Sequence, residues 1–407
     1  MKALKRNKWL IALSASAIHI SIGSVYAWSV LVLPIMNATG WSRTAVTFTF
    51  SLSILFLGLS AGVFGKYVER YGPKVTGLIS TACFTIGLFG SAFALHISSV
   101  WLLYIFYGVI GGIGLGVGYV TPVSTLVKYF PRHKGFATGL AIMSFGFASL
   151  IAAPLMRYLV DEFSLILNFI ILGGVYAVAM TAGSLYLKAP DDYKETENTH
   201  QNLDPKEIYK TWQFRALWSM IFINISCGIA LLSMVSPMAQ EIVGYTPERA
   251  AALVGVIGLI NGTGRILWAS FSDLITRPYT YIVFFLIQST LFFFLASTTN
   301  EFLFEIFILI IISCYGGGFS CLPAYLSDLF GNKYLSTIHG VILTAWGIAG
   351  LVGPLMISLG KEYLGSYSQI LYIFVAFFLV NLITAWILKN SLQKNTRRSR
   401  RKKTRKA

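Results

Sequence analysis

The chain has 407 residues, of which 56% are hydrophobic and only 12% charged, with a net charge of +16. A soluble globular protein carries about a quarter of its residues as charges, so much of this surface must be suited to lipid rather than water. The composition excludes a disordered chain, a disulfide scaffold and an enzyme built on a polar cleft.

In chain order, apolar segments of membrane-spanning length cover residues 9–36, 44–66, 75–96, 101–127, 135–158, 165–187, 212–238, 249–271, 279–297, 302–326, 335–360 and 368–388. Each is close to the ~20 residues that a bilayer core requires of a helix. The first follows Lys5-Arg6-Asn7-Lys8. Its apolar run is too long for a secretory leader and reaches no small-residue cleavage site, so it is expected to stay as a span. The only extended polar interior stretch, 188–211, divides the chain six spans to six. The expected organisation is therefore a six-helix bundle over 1–187, a central loop over 188–211, a second bundle over 212–388 and a basic tail over 389–407.

The charge sorts by side. Of the 32 Lys and Arg, all but five fall on the N-terminus, the loops that share its side and the tail; the exceptions are Arg43, Arg157, Arg249 and Lys361 on the opposite loops, and Arg265 inside a span. Short loops rich in Lys and Arg stay in the cytoplasm, which places both termini there and requires an even number of spans. The tail run from Lys394 to Lys406 is then a solvated segment drawn to anionic head groups. Each basic residue near such a surface contributes about 1 kcal/mol. No aromatic platform accompanies the run, so nucleic acid is not an expected partner. Cys83, Cys227, Cys314 and Cys321 all fall inside spans, so no disulfide is expected.

The halves repeat at a spacing of 200. Phe130 is followed 24 residues on by Pro154-Leu155-Met156, and Phe330 is followed 24 on by Pro354-Leu355-Met356. An even offset in spans means that both halves share one orientation, a parallel repeat suited to a transporter whose halves rock about a midplane site.

Arg265 is the residue that most needs explaining. Eight residues from Asp273 at 1.5 Å each put it about 12 Å inside a ~30 Å core. An arginine there costs at least ~2.5–3.5 kcal/mol and normally faces a cavity or a partner. None of the 16 acids lies at comparable depth, so the guanidinium meets either a substrate anion or backbone carbonyls. Its planar fork fits a carboxylate. Asn261, one turn earlier, shares its face. The same depth arithmetic brings Tyr119, Tyr315 and Trp346 near the midplane, with Tyr26 further along its span. Buried tyrosines need hydrogen-bond partners, although any one of them can equally face lipid or core. His19, near midplane on the side of Tyr26, can carry a co-transported proton or be satisfied by a neighbouring helix. His339 lies nearer the cytoplasm and is the weaker candidate.

The stretch Gly65-Lys66-Tyr67-Val68-Glu69-Arg70-Tyr71-Gly72-Pro73-Lys74 resembles the loop motif of the major facilitator superfamily, with Glu69 for the usual Asp. A degraded copy ends at Asp273 with Arg277. The resemblance implies a gate latch at Glu69, Arg70 and Asp273. Four further blocks are similar to the oxalate/formate antiporter family, relatives of the monocarboxylate transporters: Gly23-Ser-Val-Tyr26-Ala-Trp28, Gly118-Tyr119, Cys314-Tyr315-Gly-Gly-Gly-Phe319 with Pro323-Ala-Tyr325, and His339 to Trp346 with Gly353-Pro354. This likeness implies twelve helices in two pseudo-symmetric halves. It also implies an inner-membrane location, the eighth-span pair Asn261 and Arg265 as substrate ligands, and Tyr26, Tyr119, Tyr315, Phe319 and Trp346 as an aromatic cage. Oxalate-carrying members have a lysine a few residues after the eleventh-span tryptophan. Here Trp346 is followed by Gly-Ile-Ala-Gly, so a monocarboxylate is expected.

The expected function is carriage of a small monocarboxylate such as lactate, pyruvate or formate, by proton symport or exchange, in a monomer without cofactor or metal. The alternatives are an oxalate/formate-type exchanger, a drug carrier of the same fold and a non-transporting sensor. A cationic-drug carrier would normally bring a membrane carboxylate, and enzymatic motifs with metal or nucleotide spacing are lacking.

Overall fold

The computed structural model describes residues 6–130, 134–190, 205–330 and 335–404; the side chains of 65, 66, 69, 127, 134–141, 205, 335–337 and 394–404 also lie outside the description. A chain in lipid must satisfy its backbone within each segment, which leaves the helix as the means of crossing for a chain of this pattern. Among the described residues twelve helices are long and apolar enough to span: α1 Lys8–Ala27, α2 Arg43–Phe64, α3 Arg70–His96, α4 Val100–Leu126, α5 Ile142–Glu162, α6 Leu165–Tyr186, α7 Trp212–Val243, α8 Pro247–Ile275, α9 Arg277–Leu295, α10 Glu301–Phe330, α11 Ile338–Leu364 and α12 Ser368–Gln393. They form two six-helix halves. The start of α1 and the end of α12 share one face of the bundle, here the tail face; the opposite face is the distal one.

Sequence signals stop and start these helices where chemistry requires. On the distal face Ser42, Ser99, Ser164 and Thr246 cap α2, α4, α6 and α8 by accepting a hydrogen bond from the third residue on, the usual use of a short hydroxyl at a helix start. Gly40 and Gly244 end the preceding helices with φ of 71° and 70°, a left-handed state that glycine enters without penalty. Gly40-Trp41-Ser42 and Gly244-Tyr245-Thr246 are thus matching turns in the two halves.

Several boundaries differ from those expected. The first span tightens into a 3₁₀ turn at Ser24–Ala27 and resumes as Ser29–Thr39. The fourth turns π-helical over Tyr104–Gly111 after one α-helical turn, Val100–Leu103. The helix of α12 runs on to Thr404, where a solvated tail was expected from 389. Most of the central loop, 191–204, lies outside the described residues.

The most buried spans are α1 and α7, and the least buried are α6 and α12, as in a bundle with one central and one peripheral helix per half. The halves meet along two seams, α2 with α11 and α5 with α8. At the first, a Cβ on Gly58 would stand 2.6 Å from the Gly347 Cα; at the second, a Cβ on Gly146 would stand 3.2 Å from the Gly262 Cα. Small residues let backbones approach where lipid supplies no hydrophobic drive. Overpacking such a contact costs about 1–3 kcal/mol. Gly58→Leu is therefore expected to lower the unfolding temperature in detergent by several degrees. Gly62→Ala, one turn away with open space around its Cβ, should leave that temperature unchanged or slightly raised.

Candidate functional site

Six helices bring their mid-length residues to one level. His19 is eleven residues from the tail-face end of its helix, Tyr119 ten, Arg265 ten, Phe319 eleven, Phe145 eleven and Trp346 eleven. At 1.5 Å per residue all lie about 15–17 Å deep. This common depth is where the cation and the rings converge.

Arg265 is 5% exposed. Its Nη1 donates to the Ile142 carbonyl of α5 at 3.0 Å, its Nε has no partner, and its Cζ stands 5.5 Å from the centroid of the Phe319 ring. Among the described residues no carboxylate pairs with it. The backbone carbonyl named as an alternative partner is thus present, and the Tyr26 phenol also stands within hydrogen-bonding reach of the guanidinium. Asn261 is fully buried, and neither its Oδ1 nor its Nδ2 has a partner. The α10 backbone presses on this pair, because a Cβ on Gly316 would stand 2.6 Å from the Asn261 Oδ1 and 3.3 Å from the Arg265 Cγ.

The five expected aromatics are linked. The Tyr26 and Tyr315 hydroxyls are 3.3 Å apart and hydrogen bonded across the halves. Tyr315 meets Phe319 at 5.4 Å, Phe319 meets Trp346 at 5.1 Å and Trp346 meets Tyr119 at 5.2 Å, all edge to face. Offset and edge contacts of this kind hold rings in fixed relation. Trp346 also keeps an unpartnered indole Nε1. Unpaired buried donors are rare because each costs about 1–3 kcal/mol. Here three side chains with such atoms (Arg265, Asn261 and Trp346) belong to one neighbourhood. His19 stacks on Tyr119 with ring centroids 5.5 Å apart, and its Nε2 lies 3.1 Å from the Tyr119 carbonyl.

Other candidates fall elsewhere. His339 is partly buried in the helical turn Leu335–Ile342 and takes no part in the ring contacts, because it sits two turns nearer the tail face than Trp346. Asp273 pairs with Arg277 at 2.5 Å, and Arg277 also reaches Asp328 at 3.8 Å. That cluster joins α8, α9 and α10 within one half and, among the described residues, bridges nothing to the other. Arg70 is exposed against the Tyr71 ring, 5.3 Å away. The Glu69 side chain lies outside the described residues.

Two features had no signal in the sequence reading. Phe145 of α5 meets four of the site rings, yet one phenylalanine in an apolar span looks like any other. The second is a set of ties on the distal face. Arg43 of the first half inserts into the second, with Nη2 2.6 Å from Glu241 Oε1 and Nη1 3.0 Å from the Tyr367 hydroxyl. Lys361 stands 3.1 Å from Glu241 Oε2, and the Thr44 amide donates to Glu362 at 3.1 Å. Burial and the Glu241 carboxylate push the Tyr367 phenol above its ordinary pKa, so it stays a donor. On the other seam Arg157 contacts Asp161 and, at 3.5 Å, Glu248. Between these ties lies a cavity of about 450 Å³ lined in part by Asn37, Arg157, Ser236 and Gln240.

A membrane bundle of two like halves, closed across one face, with a buried cation where the halves meet, has the build of a secondary transporter. The sequence pattern of the Major Facilitator Superfamily matches residues 12–354. The chain is 27% identical over 354 residues to the uncharacterized MFS-type transporter YhjX of Escherichia coli, covering 85% of this chain and 87% of that one. It is 25% identical to the oxalate:formate antiporter of Oxalobacter formigenes, covering 85% and 83%. It is 24% identical to monocarboxylate transporter 12 of Rattus norvegicus, covering 82% and 73%. In fold it is similar to a bacterial homolog of the human lysosomal transporter Spinster in an inward-facing, unoccupied conformation, with a TM-score of 0.75 at 14% identity over 95% of this chain and 98% of that one. It is also similar to a D-xylose-proton symporter, with a TM-score of 0.71 at 13% identity over 94% and 96%. The chain belongs to the major facilitator superfamily, whose members are transporters and not enzymes.

The distal ties yield a direct expectation. Partly exposed ion pairs contribute about 0.2–1 kcal/mol each, and Glu241→Gln weakens two at once. Thiol labelling of a Ser236→Cys variant in the distal cavity should then rise several-fold in the Glu241→Gln background, and an unchanged labelling rate would deny those ties a gating role.

Proposed function

We propose that this transporter carries a small monocarboxylate, of the class of lactate, pyruvate or formate, by alternating access at the Arg265 site. The observation that carries the reading is a buried arginine that meets a backbone carbonyl and the Tyr26 phenol but, among the described residues, no carboxylate. In that surrounding the guanidinium retains free donors for a carboxylate. Asn261 and the Trp346 indole supply further unpaired polar atoms, and Tyr26, Tyr119, Tyr315 and Phe319 wall the anion. No second Lys or Arg joins the group among the described residues, which favours a single negative charge over a dicarboxylate. The oxalate:formate antiporter and the monocarboxylate transporter among the relatives support the class.

The bundles 1–187 and 212–388 are the moving bodies, with the 188–211 loop between them. The Glu69–Arg70 motif, together with Asp273, controls the tail face when the distal ties part. The excess of Lys and Arg on the tail face supports a bacterial inner membrane with both termini cytoplasmic, and the 389–407 tail lies against anionic lipid. The carrier works as a monomer. His19, stacked on Tyr119 beside the site, is the candidate for a co-transported proton; an exchange mechanism would leave it a packing role.

Uptake of radiolabelled lactate, pyruvate, formate and oxalate into proteoliposomes tests the reading. Loss of one partner from a buried, charge-assisted contact costs about 2–5 kcal/mol, so Arg265→Ala should lower uptake at least about thirtyfold. Normal transport by Arg265→Ala, or no movement of any acid by the wild type, would overturn it. In the same vesicles an inward proton gradient should accelerate uptake by the wild type but not by His19→Gln if the histidine carries the proton. Insensitivity of both to the gradient would make the protein an exchanger.

A further inference from the structure

We propose that Phe145 sets the length of the acid that the Arg265 site accepts; the inference rests on the carboxylate reading of that site and adds a specificity element to it. Phe145 is fully buried. Its ring stands edge-on to Tyr26 at 5.0 Å and 89°, to Tyr119 at 5.7 Å and 90°, to His19 at 6.1 Å and 79°, and to Trp346 at 6.4 Å and 80°. These four neighbours are drawn from α1, α4 and α11. Phe145 therefore lies among Tyr26, Tyr119, His19 and Trp346, and Tyr315 and Phe319 join the group through Tyr26 and Trp346.

Its place relative to the cation follows from the backbone. Ile142, whose carbonyl accepts from Arg265, lies three residues before Phe145 on the same helix, and residues three apart share a face. One turn of α5 thus supplies both the contact to the guanidinium and the ring beyond it. An acid whose carboxylate replaces that contact directs its carbon chain toward the Phe145 ring on one side and the Phe319 ring on the other.

The ring has little freedom to retreat. A Cβ on Gly23 of α1 would come 2.4 Å from the Phe145 carbonyl oxygen and 2.7 Å from the Ala148 Cβ. The two helices are in direct contact at that level, so α5 cannot move back to admit a longer chain. Interiors packed at this density respond to changes of a single methylene. Phe145 is then the side chain whose truncation opens the site along the direction of the substrate's tail, without touching the group that binds the charge.

The experiment is inhibition of labelled short-acid uptake in proteoliposomes by the straight-chain monocarboxylates from two to six carbons, for the wild type, Phe145→Ala and Phe145→Leu. Wild-type inhibition should weaken as the chain lengthens. In Phe145→Ala the preferred length should move up by two or three carbons. Each methylene that enters the vacated space should strengthen inhibition by about tenfold or more. Phe145→Leu, the milder change, should move it by one, and it decides the matter if Phe145→Ala does not fold. A folded, transporting Phe145→Ala or Phe145→Leu whose chain-length profile matches the wild type would overturn the role of Phe145 and leave the carboxylate reading intact. A wild type that moves no acid of any length, or an Arg265→Ala variant with normal uptake, would overturn the reading beneath it.

Discussion

The centre of this molecule is arranged around one cation, Arg265, that no carboxylate meets among the described residues. A guanidinium at mid-depth in a lipid-facing bundle is a liability unless its donors are met. The chain meets them in part with the Ile142 carbonyl and the Tyr26 phenol, places a Phe319 ring face near the charge, and surrounds both with closely spaced aromatics. A resident carboxylate would have satisfied Arg265 more fully. It would also have had to be displaced by each arriving substrate, at the cost of breaking a buried pair. A carbonyl is a weaker partner and remains bonded within its own helix, so it holds the arginine in place without competing strongly for it.

The same economy governs how the halves are joined. Close glycine contacts at Gly58 with Gly347 and at Gly146 with Gly262 keep the seams narrow, while the strong directional ties lie at the distal end, around Glu241 and Arg157. Van der Waals contact along a smooth seam resists sliding less than interlocked side chains would. Ion pairs near the surface contribute little each and are weakened by water. A bundle held in this way can part at one face without dismantling its core. The mid-depth Tyr26–Tyr315 hydrogen bond, which also crosses the halves, belongs to the aromatic group rather than to the outer tie.

Much of this was legible in the sequence, for physical reasons that differ by feature. The spans follow from hydropathy because lipid imposes a length and forbids unpaired backbone. Arg265 stood out because a lone charge in an apolar run has few innocent explanations. The convergence of Tyr26, Tyr119, Tyr315, Phe319 and Trp346 followed from resemblance and depth, which fix level but not direction. Phe145 could not be found that way, since in a chain with 30 phenylalanines nothing marks the one that faces inward. Arg43 and Lys361 were visible as charges on the opposite loops, while Glu241 carried no signal of its own. Their meeting depends on which helices are neighbours across the halves, and no local pattern encodes that. The helix continuing through 389–404 shows the reverse case. Its composition leads to an expected solvated tail, but backbone conformation is inherited from the span before it.

The distribution of unpaired polar atoms adds one more constraint on what the site can hold. Arg265 Nε, the Asn261 amide and the Trp346 indole are mostly donors, with the Asn261 Oδ1 as the acceptor among them. A ligand that completes such a set must offer several acceptor oxygens and at most a few hydrogens to give, within walls of aromatic carbon. A neutral apolar solute leaves every one of those groups unmet, and a cation faces Arg265 directly. On the carboxylate reading proposed above, a compact anion rich in oxygen, with a short apolar tail for the rings, meets all of them.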